Sequence, residues 1–380
     1  MKIAFVYDVI YPYVVGGGQK RIWEIASRLS RRGHEVHVFG MKHWEGEEIL
    51  MKEGVILHGF CQPKALYTTE HRSINEAIKV GYQILTPLLK EKFDIIDCME
   101  FPYFTCFSAK LCSIMRKTPL ILTWLELWNN YWFEYMGIKG IFGKATERLV
   151  LKLPNSIIAI SEKVKKDLVT VGVKSTNIHV VPDGVDFSRI QAIEPLGNNR
   201  HDVLYSGRLI EHKNVDVLIK AIALIKSKIP EIKCGIIGDG PEMGRLQSLT
   251  SERNLGDNIK FLGFLEKDTD VYSHMKSARI FVLPSTREGA GLVTLEANVC
   301  GLPVVTIDQK ENAATEVVID GENGFLCQLS EEDLAATILV ALDKSHQMRD
   351  KCIEFGRRYD WSIMAALTES VYQTTIVPDR

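Results

Sequence analysis

Residues Ile280 to Val305 read IFVLPSTREGAGLVTLEANVCGLPVV, and this stretch decides the fold. Ile280 to Leu283 is an apolar run typical of a buried parallel strand, and a loop with two glycines follows it. A helix is expected from about Leu292, and a further strand from Val304 to Ile307. A strand, a loop, a helix and a strand in this order predict a doubly wound α/β unit, in which ligands bind at the carboxyl ends of the strands.

The loop and the helix start carry two acids and two glycines. Glu288 lies in the loop, and Glu296 lies one turn into the helix. Gly289 and Gly291 let the main chain approach a ligand, and the helix start offers unpaired N–H groups that suit phosphate. Carboxylates beside an anion site are better placed to accept hydrogen bonds from the hydroxyl groups of a sugar or a ribose. The stretch therefore predicts a nucleotide-sugar site.

Length and composition fit a globular protein of two domains. The chain has 380 residues, 46% of them hydrophobic and 25% charged, and a formal net charge of -2, which argues against a nucleic-acid partner. The N-terminus does not resemble a signal peptide, and no apolar stretch approaches the length of a membrane span. The eight cysteines form no C-x-x-C pairs. These features predict a cytoplasmic protein with reduced, buried thiols.

Strands and helices alternate along the chain in two series. The first series has strands expected near residues 2–7, 35–39, 94–98, 120–123 and 156–159, and the second near 202–206, 233–237, 259–262 and 280–283. Phe187 to His201 is the most polar link between the series and is the predicted linker. We therefore expect domains at residues 1–190 and 191–360, each with helices on both faces of a mostly parallel sheet.

Several motifs together resemble the retaining glycosyltransferases of family 4, which have the GT-B fold. Glu288 to Glu296 resembles the E-x7-E signature of that family, and Gly207-Arg208-Leu209 with Lys213-Asn214 resembles its G-R-L-x-x-x-K-N element. Gly16 to Gly18 is similar to the glycine loop of its first domain. The resemblance covers nearly the whole chain. It implies two Rossmann-like domains facing each other across a cleft, with residues 361–380 crossing back onto the first domain.

The resemblance also implies a role for each matched residue. Arg208 and Lys213 would take the negative charge that develops on the leaving diphosphate, while Glu288 would face the donor sugar and Glu296 the ribose. The remaining donor-binding positions would be Gly16, Gly17, Gly238, Leu265, Gly289, Ala290, Gly291 and Leu292. No metal or other cofactor is expected, because cationic side chains and backbone amides take the charge. The structural alternatives are a surface pair at Arg208 and Lys213 and a plain turn at the glycine loop.

Position 125 departs from the family pattern. The strand Leu120 to Thr123 continues into Trp124-Leu125-Glu126, and the histidine of the family falls on Leu125. A histidine would hydrogen-bond the donor sugar, and losing one such bond costs about 1–3 kcal/mol. Three explanations stay open: a donor that does not need the bond, a slow or inactive protein, or a replaced residue. Leu125 and Glu126 are the acceptor-side candidates, although Glu126 could equally just end a strand.

The segment Trp128 to Tyr135 is rich in aromatic residues, which suit either contact with a sugar face or packing against a helix. A basic amphipathic segment follows it. Lys144, Arg148 and Lys152 recur at four-residue spacing. The accompanying apolar stripe consists of Ile141, Ala145, Leu149 and Leu153. The favoured interpretation packs this stripe on the sheet. The other rests the helix on the inner face of an anionic membrane.

These residues predict a metal-independent, retaining glycosyltransferase that moves a sugar from a nucleoside-diphosphate sugar to a glycan or lipid-linked acceptor. The alternative is a nucleotide-sugar-binding homologue with weak or no catalysis, because Leu125 replaces the family histidine. A nucleotide-sugar epimerase is a further, less favoured alternative.

Overall fold

The computed structural model describes residues 1–14, 16–63, 73–197, 201–289 and 291–376. The chain divides into two compact units: unit 1 is Met1–Asp183 with Trp361–Arg380, and unit 2 is Gly184–Asp360. The division precedes the expected linker, whose residues 198–200 lie outside the described ranges. The start of that linker is a helix instead, and Gln191 Nε2 donates a hydrogen bond to the Val299 carbonyl (2.5 Å) within unit 2.

Unit 1 is built on an eight-stranded sheet. Its strands are β1 (Lys2–Val6), β2 (Glu35–Gly40), β3 (Ile49–Lys52), β4 (Val55–Gly59), β5 (Ile95–Met99), β6 (Leu120–Trp124), β7 (Ser156–Ala159) and β8 (Ile178–Val180). Their order is β3-β4-β2-β1-β5-β6-β7-β8; β3 pairs antiparallel with β4, and the other neighbours are parallel. β5 and β6 are buried along their whole length, as expected of apolar runs in a covered parallel sheet.

Six helices of the described part of unit 1 precede the second series of strands. They are α1 (Gly17–Arg31), α2 (Ile74–Leu89), α3 (Phe104–Arg116), α4 (Tyr131–Met136), α5 (Gly140–Val150) and α6 (Glu162–Thr170). α1 buries the face that its periodicity predicted, including Ile22, Ile25 and Leu29. Serine side chains cap α2 and α6, because Ser73 Oγ and Ser161 Oγ accept from amides in the first turn of each helix.

Unit 2 is built on a six-stranded parallel sheet. Its strands are β9 (His201–Ser206), β10 (Cys234–Ile237), β11 (Ile259–Gly263), β12 (Ala278–Leu283), β13 (Val304–Ile307) and β14 (Gly324–Cys327), in the order β11-β10-β9-β12-β13-β14. The helices are α7 (Phe187–Gln191), α8 (Val215–Lys226), α9 (Met243–Glu252), α10 (Asp268–Lys276), α11 (Leu292–Val299) and α12 (Glu331–Arg357). β9 and β12 are central neighbours, so the loops after them meet at one edge of the sheet.

The last helix, α13 (Trp361–Ile376), belongs to unit 1. Tyr372 Oη donates a buried hydrogen bond of 2.5 Å to Oδ2 of Asp97, which lies on β5. Glu369 accepts from Arg32 Nε at 2.7 Å and contacts the His34 ring at 2.8 Å. The end of the chain therefore completes the first unit. None of the helices in the described ranges combines the length and apolar composition that a bilayer crossing requires.

The favoured interpretation of the basic segment is wrong. α5 ends at Val150, so Lys152 lies beyond the helix. Ile141 and Leu149, two members of the predicted apolar stripe, are 56% and 55% exposed instead of packed on the sheet. Arg148 is exposed as well. This face of α5 therefore presents apolar and basic side chains together to the surroundings.

Close packing of α5 against α4 explains the difference. A Cβ at Gly143 would lie 2.3 Å from the Trp132 ring, and a Cβ at Gly140 would lie 2.2 Å from the Trp132 carbonyl oxygen, so both positions need glycine. Glu147, on the same buried side of α5, accepts from the amides of Trp128 and Asn129 (2.9 Å each). The helix is held by its small and polar face.

Candidate active site

The end of β9 packs against the turn that follows β10. The Gly207 amide donates to the Ile237 carbonyl (3.0 Å), and the Leu209 amide donates to the Asp239 carbonyl (2.9 Å). Gly238 has a φ of +135°, and a Cβ there would lie 1.9 Å from the Gly207 carbonyl oxygen. Glycine is required at position 238 because two backbone turns touch there. The contact fixes the segment that carries Arg208.

Lys213 and Glu288 form an ion pair across the ends of β9 and β12. The distance from Lys213 Nζ to Glu288 Oε1 is 2.5 Å, and the side chains are only 15% and 13% exposed. Asn214 brings the two segments together: its φ is +50°, and its Nδ2 donates to the carbonyls of His212 and Pro284 (3.1 Å each). Sequence reasoning had named both charged residues for the site but had not predicted that they pair.

Arg208 differs from Lys213 in having an exposed side chain that forms no ion pair or hydrogen bond within the described ranges. Its carbonyl accepts from Tyr205 Oη at 3.2 Å. Tyr205 is buried, and burial together with the nearby Glu288 charge raises the pKa of its phenol. The exposed Arg208 guanidinium therefore has its donors available for an anion.

The loop after β12 is fixed by backbone pairing at Glu288. Its amide donates to the Glu311 carbonyl (3.0 Å), and its carbonyl accepts from the Ala313 amide (3.1 Å). Gly289, the next residue, is exposed, with open space around its Cβ position. Ala290, another predicted donor-binding residue, lies outside the described residues.

Gly291 precedes α11 and has a φ of +61°; a Cβ there would lie 2.9 Å from the Ala314 Cα. The helix begins at Leu292, as predicted, at the carboxyl end of β12. The first turn of a helix leaves amides without intrahelical partners, and these amides favour an anion. The predicted glycines thus lie where main chain and ligand could approach each other.

Glu296 is held by a residue that sequence reasoning missed. Tyr272 Oη, on α10, donates to Glu296 Oε1 at 2.7 Å. Burial and the adjacent carboxylate raise the pKa of Tyr272, so the phenol stays a hydrogen-bond donor. The only signal in the sequence was the apolar position of Tyr272 on its helix, which does not reveal a partner on another helix.

Leu265 lies two residues after β11. It is partly buried and packs against the core of unit 2, whereas the neighbouring Phe264 is 73% exposed. The resemblance named Leu265 as a donor-binding position. Phe264 therefore presents its ring to solvent, and Leu265 is accessible only in part.

Unit 1 holds the other predicted site residues. Gly16 is the extended residue before α1, and Gly17 is the first residue of that helix, with open space around its Cβ position. A Cβ at Gly18 would lie 3.4 Å from Leu125 Cδ1. The glycine loop and position 125 are therefore neighbours, and Leu125 also packs on the core of unit 1.

Glu100 fixes the backbone at the acceptor-side candidates, and sequence reasoning missed it. Its Oε1 accepts from the Leu125 amide at 3.0 Å, and burial raises the pKa of its carboxyl to about 8. Glu100 Oε2 is buried and has no hydrogen-bond partner in the described ranges. The carbonyl of Glu126, the second candidate, accepts from Trp124 Nε1 at 3.0 Å. An acid directly after the apolar run of β5 was the signal in the sequence.

Two known families match the chain, and their matches meet close to the boundary between units 1 and 2. Residues 186–359 match the family described as glycosyl transferases group 1, and residues 15–189 match glycosyltransferase family 4. The chain is 30% identical over 389 aligned residues to a phosphatidyl-myo-inositol mannosyltransferase of Mycobacterium tuberculosis, with 96% of each protein covered. The chain belongs to the family 4 glycosyltransferases.

Two further relatives of this glycosyltransferase are informative. An alpha-monoglucosyldiacylglycerol synthase of Streptococcus pneumoniae is 24% identical and aligns with 100% of the chain and 89% of its own length. The solved sucrose-phosphate synthase of Thermosynechococcus elongatus superposes with a TM-score of 0.77 at 18% identity, covering 98% of each chain. The predicted GT-B class, with two Rossmann-like parallel-sheet domains, and the predicted enzyme class, a sugar transferase, are confirmed; the alternatives without transfer are not favoured.

Proposed function

We propose that this glycosyltransferase moves a sugar from a nucleoside-diphosphate sugar to a glycan or lipid-linked acceptor, with retention and without a metal. The observation that carries the proposal is the Lys213–Glu288 ion pair beside the exposed Arg208 guanidinium. Transfer develops negative charge on the departing diphosphate. The guanidinium, the ammonium and the first-turn amides of α11 can compensate that charge, which elsewhere is the task of a metal ion.

The two acids of the second domain have different tasks in this proposal. Glu288 accepts hydrogen bonds from hydroxyl groups of the donor sugar, and Lys213 fixes the orientation of its carboxylate. Glu296 accepts from the ribose hydroxyls, and Tyr272 fixes its orientation. Gly238 and Leu265 border the nucleoside in this proposal.

Retention is assigned to substitution on one face of the sugar. The bond from the anomeric carbon to the leaving phosphate oxygen breaks, and the acceptor oxygen bonds to the same face. The proton of the acceptor hydroxyl passes to the leaving phosphate. Leu125 cannot hydrogen-bond the sugar, so the proposal includes a donor that is bound without that contact.

The names of the relatives support a lipid-linked acceptor. One is a phosphatidyl-myo-inositol mannosyltransferase, and the other is an alpha-monoglucosyldiacylglycerol synthase. The exposed Ile141 and Leu149 beside Arg148 on α5 suit peripheral contact with an anionic membrane. We therefore propose a cytoplasmic enzyme that works at the inner face of the membrane.

Donor binding tests the proposal directly. Thermal unfolding is measured with a panel of nucleoside-diphosphate sugars, since a ligand at one hundred times its Kd stabilises a protein by about 2.7 kcal/mol. Arg208→Ala or Lys213→Ala should weaken the selected donor by about thirtyfold, the value of one charge-assisted hydrogen bond. Arg245→Ala is the matched control, because Arg245 is an exposed arginine of the same unit that pairs with Glu242.

Transfer assays complete the test. Turnover in a chelator and the anomeric configuration of the product by NMR check metal independence and retention. Donor affinity and transfer that stay unchanged in both Arg208→Ala and Lys213→Ala would remove the basis of the proposal.

A further inference from the structure

Unit 1 contains a cavity of about 380 Å³ to which the proposed function gives no role. α2, the segment after β5, α4 and α5 form its walls. The apolar lining includes Ile74, Ala77, Phe101, Phe104, Trp132 and Phe142. The volume lies within the range of about 300–1,000 Å³ that is typical of small-molecule sites.

The hydroxyl groups of three lining residues, Tyr103, Thr146 and Ser73, are engaged inside the protein. Tyr103 Oη donates to Glu147 Oε1 at 2.8 Å, and Thr146 Oγ1 donates to the Phe142 carbonyl at 2.8 Å. Ser73 Oγ accepts from the Glu76 amide. The cavity therefore offers mostly carbon surface. A sugar or a peptide buried there would lose its hydrogen bonds to water without replacing them, which is costly.

The rim of the cavity is apolar and carries a positive charge. Phe142 and Ile74 line the cavity and are 74% and 47% exposed, and Ile138, which precedes Phe142 on the same stretch of chain, is 91% exposed. Lys139 is the charged residue among the described lining residues, and it is exposed. Such a rim suits a ligand that leaves a lipid layer and carries an anionic group next to its apolar part.

The cavity lies next to the acceptor-side candidates. Phe101, which lines it, directly follows Glu100, and Glu100 Oε1 holds the Leu125 amide. The Phe101 ring also stacks on Trp128 with 5.4 Å between centroids. Phe101, in one wall of the cavity, is therefore the sequence neighbour of Glu100, which holds the backbone where we expect the reactive hydroxyl of the acceptor.

We propose that this cavity binds the alkyl chain of the lipid-linked acceptor, with the polar end of that acceptor directed towards Leu125 and Glu126. The inference rests on the proposed function for the identity of the acceptor. The carbon lining selects an alkyl chain over a sugar, and the position beside Glu100 selects the acceptor over an unrelated lipid. Lys139 pairs with the phosphate that joins the chain to the sugar or polyol.

Binding of n-alkyl maltosides, from hexyl to dodecyl and below their micelle concentrations, tests the proposal without any donor. Wild-type affinity should rise about fourfold per added methylene until the cavity is full. Ala77→Phe and Thr146→Phe introduce a ring into the cavity from α2 and from α5. Each should bind the dodecyl probe at least tenfold more weakly and lose most of the dependence on chain length.

The matched controls are Ile78→Phe and Ala145→Phe, which add the same ring to exposed positions of the same two helices. They should bind the probes as the wild type does. A second measurement, fluorescence quenching, tests the site even if the Ala77→Phe and Thr146→Phe variants fold poorly. A dodecyl chain with bromine near its end should quench the emission of Trp132, and Trp132→Phe should remove that part of the quenching.

The outcomes separate this inference from the proposed function. If the filled variants bind as tightly as the controls, or if affinity does not depend on chain length, the alkyl site is refuted while donor binding is unaffected. If the alkyl series behaves as expected and no nucleoside-diphosphate sugar shifts the unfolding, the proposed function fails instead. With the selected donor, decyl maltoside should act as an acceptor or compete with one. Binding that leaves transfer unchanged would assign the cavity to a bulk lipid and overturn the proposal.

Discussion

The Lys213–Glu288 pair allows a quantitative test of what holds the loops after β9 and β12 together. Replacing Lys213 by Met leaves the Glu288 carboxylate with little solvent and without its cation. Exposed ion pairs contribute about 0.2–1 kcal/mol, and removing one partner of a fully buried pair costs about 3–5 kcal/mol. The side chains are 15% and 13% exposed and 2.5 Å apart, so we expect a loss in between, about 2–3 kcal/mol.

A double-mutant cycle isolates the interaction. Lys213→Met, Glu288→Gln and the double variant are unfolded in urea, and the coupling energy is the departure from additivity. We expect a coupling of at least about 1 kcal/mol, because the neutral amide of the double variant no longer leaves a buried charge unpaired. Additive effects of the two single changes would refute the reasoning.

The distribution of tryptophans supplies an internal control for this cycle. All six tryptophans lie in unit 1, at positions 23, 44, 124, 128, 132 and 361. Their emission follows unit 1, whereas circular dichroism follows the helices of both units. A shift that appears in circular dichroism and not in tryptophan emission therefore belongs to unit 2, where the ion pair lies.

Three further predictions concern single positions. Gly238→Ala should destabilise the protein by about 3 kcal/mol or more, because a Cβ would lie 1.9 Å from the Gly207 oxygen, whereas Gly244→Ala in open space should not; urea midpoints compare them. Burial lowers the pKa of the His58 imidazole from 6.5 to about 4. Between these two pH values the unfolded chain binds a proton at His58 that the folded chain does not bind. Wild-type stability should fall by up to about 3 kcal/mol as the pH drops through this window, and His58→Gln should show a flatter profile in urea titrations. Leu125→His should change kcat/KM by about 150-fold at most, the equivalent of the roughly 1–3 kcal/mol of one hydrogen bond, and an enzyme active only with that change would contradict our interpretation.

Strands buried on both faces could be predicted from the sequence with close boundaries. Ser156–Ala159 and Val304–Ile307 were expected at the residues where β7 and β13 lie, because continuous apolar runs bounded by polar residues leave little choice. β3 was not predicted. It is the antiparallel edge strand of its sheet, and its Ile49 and Met51 side chains are 55% and 65% exposed. An edge strand lacks the burial that makes a run apolar throughout.

The candidate site was predicted as a set of residues and not as a set of contacts. The resemblance supplied Lys213 and Glu288, but their pairing depends on the left-handed backbone of Asn214, which clamps two loops that are distant in sequence. The Tyr272 hydrogen bond to Glu296 joins two different helices and leaves no pattern along either. Side-chain contacts between elements follow from tertiary packing, which periodicity does not encode.

The wrong prediction of the buried face of α5 has the same cause: the sequence pattern does not encode contacts between elements. Helical periodicity predicted an apolar stripe, but α5 ends at Val150, before Leu153, and periodicity could not predict which side of the helix is covered. Gly140 and Gly143 were overlooked because small residues give no hydrophobic signal, yet they permit the close contact of the helix with Trp132. Once that side is buried, Ile141 and Leu149 must face outwards. Exposed apolar side chains on the outer face of a helix suit contact with a partner surface such as a membrane, since a helix needed only for packing would bury them.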